Sequence, residues 1–129
     1  MPKGNRPLPT DAELEILQVL WTRGASTVRD VFEELKQAKP VGYTTVLKLM
    51  QIMAEKGLVR RNEEQRTHVY QAMAPRESTE RQIVGDLLDR AFGGSAAQLV
   101  MRALSTKRAT AAEIDQIRHL LNQYEEKAK

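Results

Sequence analysis

The sequence predicts a mainly α-helical chain: three short helices and a β-hairpin, followed by a smaller helical region. Three observations predict it. Apolar residues recur at spacings of three and four in successive segments. Threonine-led capping boxes open several of those segments. Only residues 58–73 have the β-branched, alternating texture of strands.

Thr10-Asp11-Ala12-Glu13 sets a hydroxyl cap three residues before a glutamate. Leu14, Ile16, Leu17, Leu20 and Trp21 then fall at helical spacing, and Arg23-Gly24 ends the first helix. Thr27 and Asp30 form a second box. Val28, Val31, Phe32 and Leu35 follow at i, i+3, i+4 and i+7, which predicts a short amphipathic helix over 27–36. The stretch 37–42, with Pro40, breaks the pattern. A third helix over 43–55 opens at Tyr43, turns Val46, Leu49, Met50 and Met53 inward, and stops at Lys56-Gly57. Leu58 to Arg61 and His68 to Met73 read as two strands around the polar tip 62–67, a hairpin.

Residues 74–78 read as a boundary, giving domains 1–75 and 76–129. Beyond it Ile83, Leu87, Leu88 and Phe92 form one helical face, ending at Gly93-Gly94. Leu99, Val100, Ala103 and Leu104 form another after Ser95. A further box, Thr110 to Glu113, opens a seam of Ile114, Ile117, Leu121 and Tyr124. Glu125 to Lys129 are polar and are expected to fray. A piece of about fifty residues with three apolar faces is marginal alone. It packs on the first domain or pairs with a second copy. The seam favours a two-fold dimer, with Leu87, Leu88, Leu99, Ala103, Ile114, Ile117, Leu121 and Tyr124 as candidate interface.

Composition removes several classes of function. The 129 residues are 41% hydrophobic, 29% charged and 5% aromatic, so the core is expected to be mostly aliphatic. There is no cysteine, which excludes disulfides, thiolate catalysis and cysteine-ligated metals. His68 and His119 lie in different segments without metal-ligand spacing, and no cofactor is expected. No GxSxG element, glycine-rich phosphate loop or GKS/GKT triplet occurs. Glu33-Glu34, Glu63-Glu64 and Glu125-Glu126 are sequence neighbours, which do not face one another on a helix. An enzyme is not expected. No run of about eighteen apolar residues is present, so no membrane span is expected. The first seven residues lack the apolar stretch of a secretory signal, and a cytoplasmic protein is expected.

Net charge is only +3, from 20 basic and 17 acidic residues, but its distribution is uneven. Residues 36–68 hold Lys36, Lys39, Lys48, Lys56, Arg60, Arg61 and Arg66 against Glu55, Glu63 and Glu64, a local +4. Such a patch is the footprint of a phosphate-contacting surface, or else a solvated face. Two amphipathic helices, a break, and a second helix with a polar outer face match a helix-turn-helix. The long break and the hairpin make it a winged helix. With the core face assigned, Tyr43, Thr44, Thr45, Lys48 and Gln51 point outward. Lys48 can donate to guanine O6 or N7, and threonines can touch either bases or a thymine methyl. The Tyr43 hydroxyl and the helix N-terminal amides suit phosphate. Arg60, Arg61, Arg66 and His68 lie where a wing reaches phosphates or the minor groove. The plainer alternatives are that Thr44 only caps the helix and the arginines only solubilise. As a whole, the alternative to a DNA-binding regulator is a winged-helix protein-interaction adaptor.

The first seventy-odd positions resemble the penicillinase and methicillin-resistance repressor family (BlaI/MecI type), with its copper-responsive relatives (CopY type). The matching pieces are Leu8 to Leu17 running to Leu20-Trp21, Thr27-Val28-Arg29-Asp30-Val31, Tyr43-Thr44-Thr45-Val46, Glu55 to Arg61, and Arg66 to Tyr70. The tail is similar to the family's three-helix dimerisation region through Ala91 to Gly94 and Leu99-Val100. The resemblance implies a homodimeric transcriptional repressor on a palindromic double-stranded DNA operator. It implies reading by the third helix, at Thr44, Thr45 and Lys48. In the β-lactam systems a sensor-protease triggers tail cleavage at an Asn-Phe bond. Here Arg102-Ala103 occupies that candidate cleavage position, a departure from the pattern. Copper-responsive members carry a cysteine-rich C-terminal motif, which this chain lacks.

Overall fold

A computed structural model describes residues 7–128. Met1 to Arg6, on which most of the signal-peptide reading falls, lie outside the described residues, as does Lys129. The chain forms two compact units, one through Val84 and one from Gly85.

The first unit begins with α1 (Asp11–Arg23), α2 (Val28–Leu35) and α3 (Tyr43–Lys56). Both expected capping boxes close. The Thr10 hydroxyl accepts from the Glu13 N–H at 3.2 Å, and the Glu13 carboxylate accepts from the Thr10 N–H at 2.9 Å. Thr27 and Asp30 repeat the exchange at 3.0 and 3.1 Å. These bonds satisfy donors that a helix start leaves orphaned. At the other end of α3, Gly57 takes φ +83°. Its N–H reaches the Ala54 carbonyl while the Leu58 N–H reaches that of Met53, a Schellman closure that a side chain at Gly57 would strain.

That closure also explains a shift in the hairpin. Leu58, expected to open the first strand, belongs to the α3 cap, so β1 is Val59–Asn62 and β2 is Val69–Ala72. They pair antiparallel, Val59 opposite Ala72 and Arg61 opposite Tyr70. The loop between α1 and α2 adds a pairing the sequence did not announce. Ser26 and Tyr70 exchange backbone hydrogen bonds at 2.9 and 2.8 Å, tying β2 to the first two helices.

Ile16, Leu17 and Leu20 of α1, Val31 of α2, Val46, Met50 and Met53 of α3, and Val59 and Tyr70 of the hairpin form one buried cluster. Leu49, expected to face inward, is partly buried against it. One charged group enters this interior. Glu13 is 2% exposed and accepts from the Lys56 ammonium at 2.7 Å, joining the start of α1 to the end of α3. Burial alone pushes its carboxyl up. The hydrogen bonds from Lys56 and Thr10 outweigh that, and the net shift is downward.

The stretch 74–78, expected as a connector, is helical from Arg76, where α4 (Arg76–Phe92) begins. Pro75 precedes the first turn, where its missing N–H costs nothing, and its carbonyl accepts from Ser78 and Thr79. The Arg76 guanidinium lies 5.3 Å from the Trp21 ring and donates to Gln18 and Thr22. The Trp21 indole donates to the Ala74 carbonyl at 2.9 Å. The start of α4 is therefore fastened to α1, and Thr79 is buried.

The second unit contains the end of α4, then α5 (Ala96–Thr106) and α6 (Ala111–Ala128). Ser95 and Thr110 cap the latter two. The residues expected to fray are helical as far as Ala128, with the Lys127 ammonium 5.4 Å from the Tyr124 ring. No residue of α5 or α6 is buried.

Candidate nucleic-acid interface

The inward face of α3 fixes what its outward face presents. With Val46, Met50 and Met53 fully buried, Tyr43, Thr44, Thr45, Lys48 and Gln51 are exposed. All five residues expected to point outward from this helix are thus exposed. Thr44 does not cap it. The N-cap is Gly42 in extended geometry, no side chain caps the helix, and the first internal bond runs from the Val46 N–H to the Gly42 carbonyl at 3.2 Å. The amides of Tyr43, Thr44 and Thr45 therefore open the helix without intrahelical partners.

Tyr43 is held rather than free. Its ring meets Phe32 edge-on at 5.8 Å and 80°, and the Arg29 guanidinium lies 4.7 Å from its centroid. Arg29 was not among the expected site residues. Its signal lay in spacing across the break, where α2 brings a cation beside the start of α3. Gln51 sits further along, lining a shallow cleft with Glu55, Arg61 and Glu63 at the root of the wing.

The two adjacent wing arginines have different surroundings. Strand alternation sends Arg60 to one face and Arg61 to the face of Val59 and Tyr70. Arg61 donates to Glu63 at 2.7 Å, and the Tyr70 hydroxyl and the Glu63 carboxylate beside it hold its guanidinium more firmly protonated than usual. Arg66 and His68 are exposed on the hairpin loop.

Ion pairing sorts the basic segment further. Lys36 pairs with Glu33 at 3.0 Å, Lys39 with Glu15 at 2.8 Å, and Lys56 with Glu13 at 2.7 Å. The side chains of Lys48, Arg60 and Arg66 have no ion-pair or hydrogen-bond partner among the described residues. The unspent positive charge thus falls on α3 and the hairpin. Among the described residues no group of three or more His, Asp or Glu side chains could hold a metal ion. No described helix is long and apolar enough to cross a membrane.

In the second unit the expected interface residues are apolar and largely uncovered. Leu87 is exposed, Leu88, Leu99, Ile114 and Ile117 are half-buried, and Ala103 is exposed. Leu121 and Tyr124 are 64% and 65% exposed. Arg102-Ala103 lies within α5, and the Arg102 carbonyl accepts from the Ser105 and Thr106 hydroxyls at 3.0 and 2.6 Å.

Three helices and a hairpin wing, with the outer face of the third helix and its neighbouring cations free, define a winged-helix regulator of the DNA-binding class. The profile of the penicillinase repressor family matches residues 9–123. The chain belongs to that family, one of transcriptional repressors rather than enzymes. The transcriptional regulator BlaI of Mycobacterium tuberculosis is 30% identical over 116 residues, covering 89% of this chain and 83% of that protein. The penicillinase repressor of Bacillus licheniformis is 22% identical over 123 residues, covering 95% and 96%. The solution structure of the DNA-binding domain of the repressor BlaI aligns at 24% identity and a TM-score of 0.49, covering 56% of this chain and 90% of that one.

Proposed function

We propose that the protein is a homodimeric repressor that binds a palindromic operator in double-stranded DNA, in the cytoplasm. The observation that carries this reading is the sorting of the basic segment: its unpaired cations are Lys48, Arg60 and Arg66, on the reading helix and the wing. Helix α3 enters the major groove by its N-terminal end. Thr44, Thr45, Lys48 and Gln51 meet base edges, and the Tyr43 hydroxyl and the α3 amides meet phosphate. Arg60, Arg66 and His68 contact the backbone from the wing, with Arg61 bracing the hairpin through Tyr70 and Glu63.

Dimerisation is proposed on the state of the second unit. With no buried residue in α5 or α6, it lacks a dry core of its own. Its apolar seam has the character of a surface completed by another copy. Two copies place two reading helices on half-sites about one helical turn, or a multiple of it, apart. Separating the tails, by rearrangement or by a regulatory protease, ends that bivalency and releases the DNA. Cleavage at Arg102-Ala103 requires α5 to unwind first, because the bond's carbonyl is hydrogen-bonded within the helix.

Genomic footprinting tests the reading. Protected sites with two-fold symmetry and a fixed half-site spacing are expected. Lys48→Ala is expected to lower operator affinity by about 1–3 kcal/mol and to relax one base position in each half-site. Weak, salt-insensitive binding without a symmetric footprint would instead favour a protein-interaction adaptor.

A further inference from the structure

The cluster at the start of α3 carries more than the five reading residues. Arg29 stands on α2, outside the basic segment, with its side chain 63% exposed. Its guanidinium lies 4.7 Å from the Tyr43 ring centroid and 5.6 Å from that of Phe32. Phe32 in turn meets Tyr43 edge-on. A cation over a ring face is attracted by the quadrupole, so the three side chains hold one another in place. The charge itself is only loosely offset. Glu33 offers one carboxylate oxygen to Arg29 at 3.7 Å and the other to Lys36 at 3.0 Å, so Arg29 is the more loosely paired of the two.

We propose that Arg29 extends the DNA interface onto α2, as a phosphate contact that shares one backbone phosphate with the Tyr43 hydroxyl. The proposal rests on the DNA-binding reading above. The stacked geometry serves both ends of the contact: it fixes the phenol at the mouth of α3 and keeps a planar, multiply donating cation beside it. A guanidinium suits this position better than an ammonium, because its fork can bond a phosphate while its plane covers the ring. The contact carries no base information. It sets how α3 sits in the groove by fixing the backbone next to its N-terminus.

The test uses the full-length protein and one operator duplex. Binding is measured across a salt series for wild type, Arg29→Gln, Arg29→Lys, Tyr43→Phe, the pair Arg29→Gln/Tyr43→Phe, and Lys48→Ala. Arg29→Gln is expected to reduce the steepness of log K against log salt by about 0.9 for each protomer on the DNA. It should weaken cognate and scrambled duplexes by the same factor. Arg29→Lys should keep the slope and lose part of the affinity. The double variant should lose less than the two single losses combined, since both groups serve one phosphate. An unchanged slope in Arg29→Gln, or strict additivity with Tyr43→Phe, would overturn the proposal. If Lys48→Ala relaxes base discrimination while Arg29→Gln does nothing, only the Arg29 contact is refuted. If no variant changes binding and wild type shows no duplex preference, the DNA-binding reading falls, and the contact with it.

Discussion

Replacing Arg66 with alanine tests the sorting of cations most directly. Each neutralised phosphate contributes about 0.9 to the slope of log K against log salt for duplex DNA. Lys48, Arg60 and Arg66 are unpaired in each protomer. Placed on phosphate in a dimer, these three therefore contribute about −5 to the slope, or about −4 if Lys48 meets only base edges, beyond any contribution from Arg29. Between 50 and 200 mM salt a slope of −5 means a loss of about a thousandfold in affinity. Arg66→Ala removes one contact from each protomer. This contribution should fall to about −4, and its cost over the same salt interval to about 250-fold. Arg61→Ala is the matched control. Its guanidinium is already engaged by Tyr70 and Glu63, so the slope should change little. Fluorescence anisotropy of a labelled operator, titrated at five salt concentrations, reads all three proteins. Equal flattening by Arg61→Ala and Arg66→Ala would refute the argument that internal pairing decides which cations meet phosphate. A change in discrimination between operators on losing Arg66 would refute its backbone role.

Two further outcomes follow from the cores of the two units. Glu13→Gln leaves the Lys56 ammonium without its carboxylate; because Lys56 is a third exposed and can rehydrate, the loss should be about 1–3 kcal/mol rather than that of a fully buried pair. Glu13 has a folded-state pKa below its unfolded value, so its contribution is present above that unfolded value and fades as pH falls through the lower one. Urea melts should accordingly show a constant gap between the two proteins at neutral pH that closes below about pH 4; a gap that persists into stronger acid would contradict it. Leu121→Asp should yield monomers by sedimentation while leaving the first unit's near-ultraviolet spectrum intact, and a stable dimer would exclude that seam as the interface.

Most of the first unit was legible because its signals are local. Capping boxes at Thr10 and Thr27 are read within four residues, and the α3 core face follows from spacing alone. The beginning of α4 was not legible, because Arg76 owes its helical state partly to Trp21, Gln18 and Thr22, more than fifty residues earlier. The Ser26–Tyr70 bridge escaped for a related reason: a one-residue pairing leaves no period to detect. At the site, exposure of Tyr43, Thr44, Thr45 and Lys48 followed from the helix pattern. Sequence could not tell Arg60 from Arg61, whose difference lies in which side of the pleat meets Tyr70. Nor could it show that Lys39 and Lys56 pair with Glu15 and Glu13 of α1, whereas the Lys36–Glu33 pair is a local i,i+3 contact. Local charge was visible, but its availability depends on tertiary partners.

The two units differ in how much of their stability is their own. The first has a closed, mostly aliphatic core, a reciprocal tie between Ser26 and Tyr70, and a buried carboxylate satisfied by Lys56. The second has capped helices but no buried side chain in α5 or α6. Under the proposed function, pairing of the tails then contributes to folding as well as to binding, so both depend on protomer concentration. An effector acting on the tail need not touch α3. Weakening the seam lowers the effective concentration of the second reading head, and occupancy falls toward that of a single domain. This places sensitivity to a signal in the unit with the smallest stability of its own. DNA reading stays in the unit whose geometry is fixed by its core.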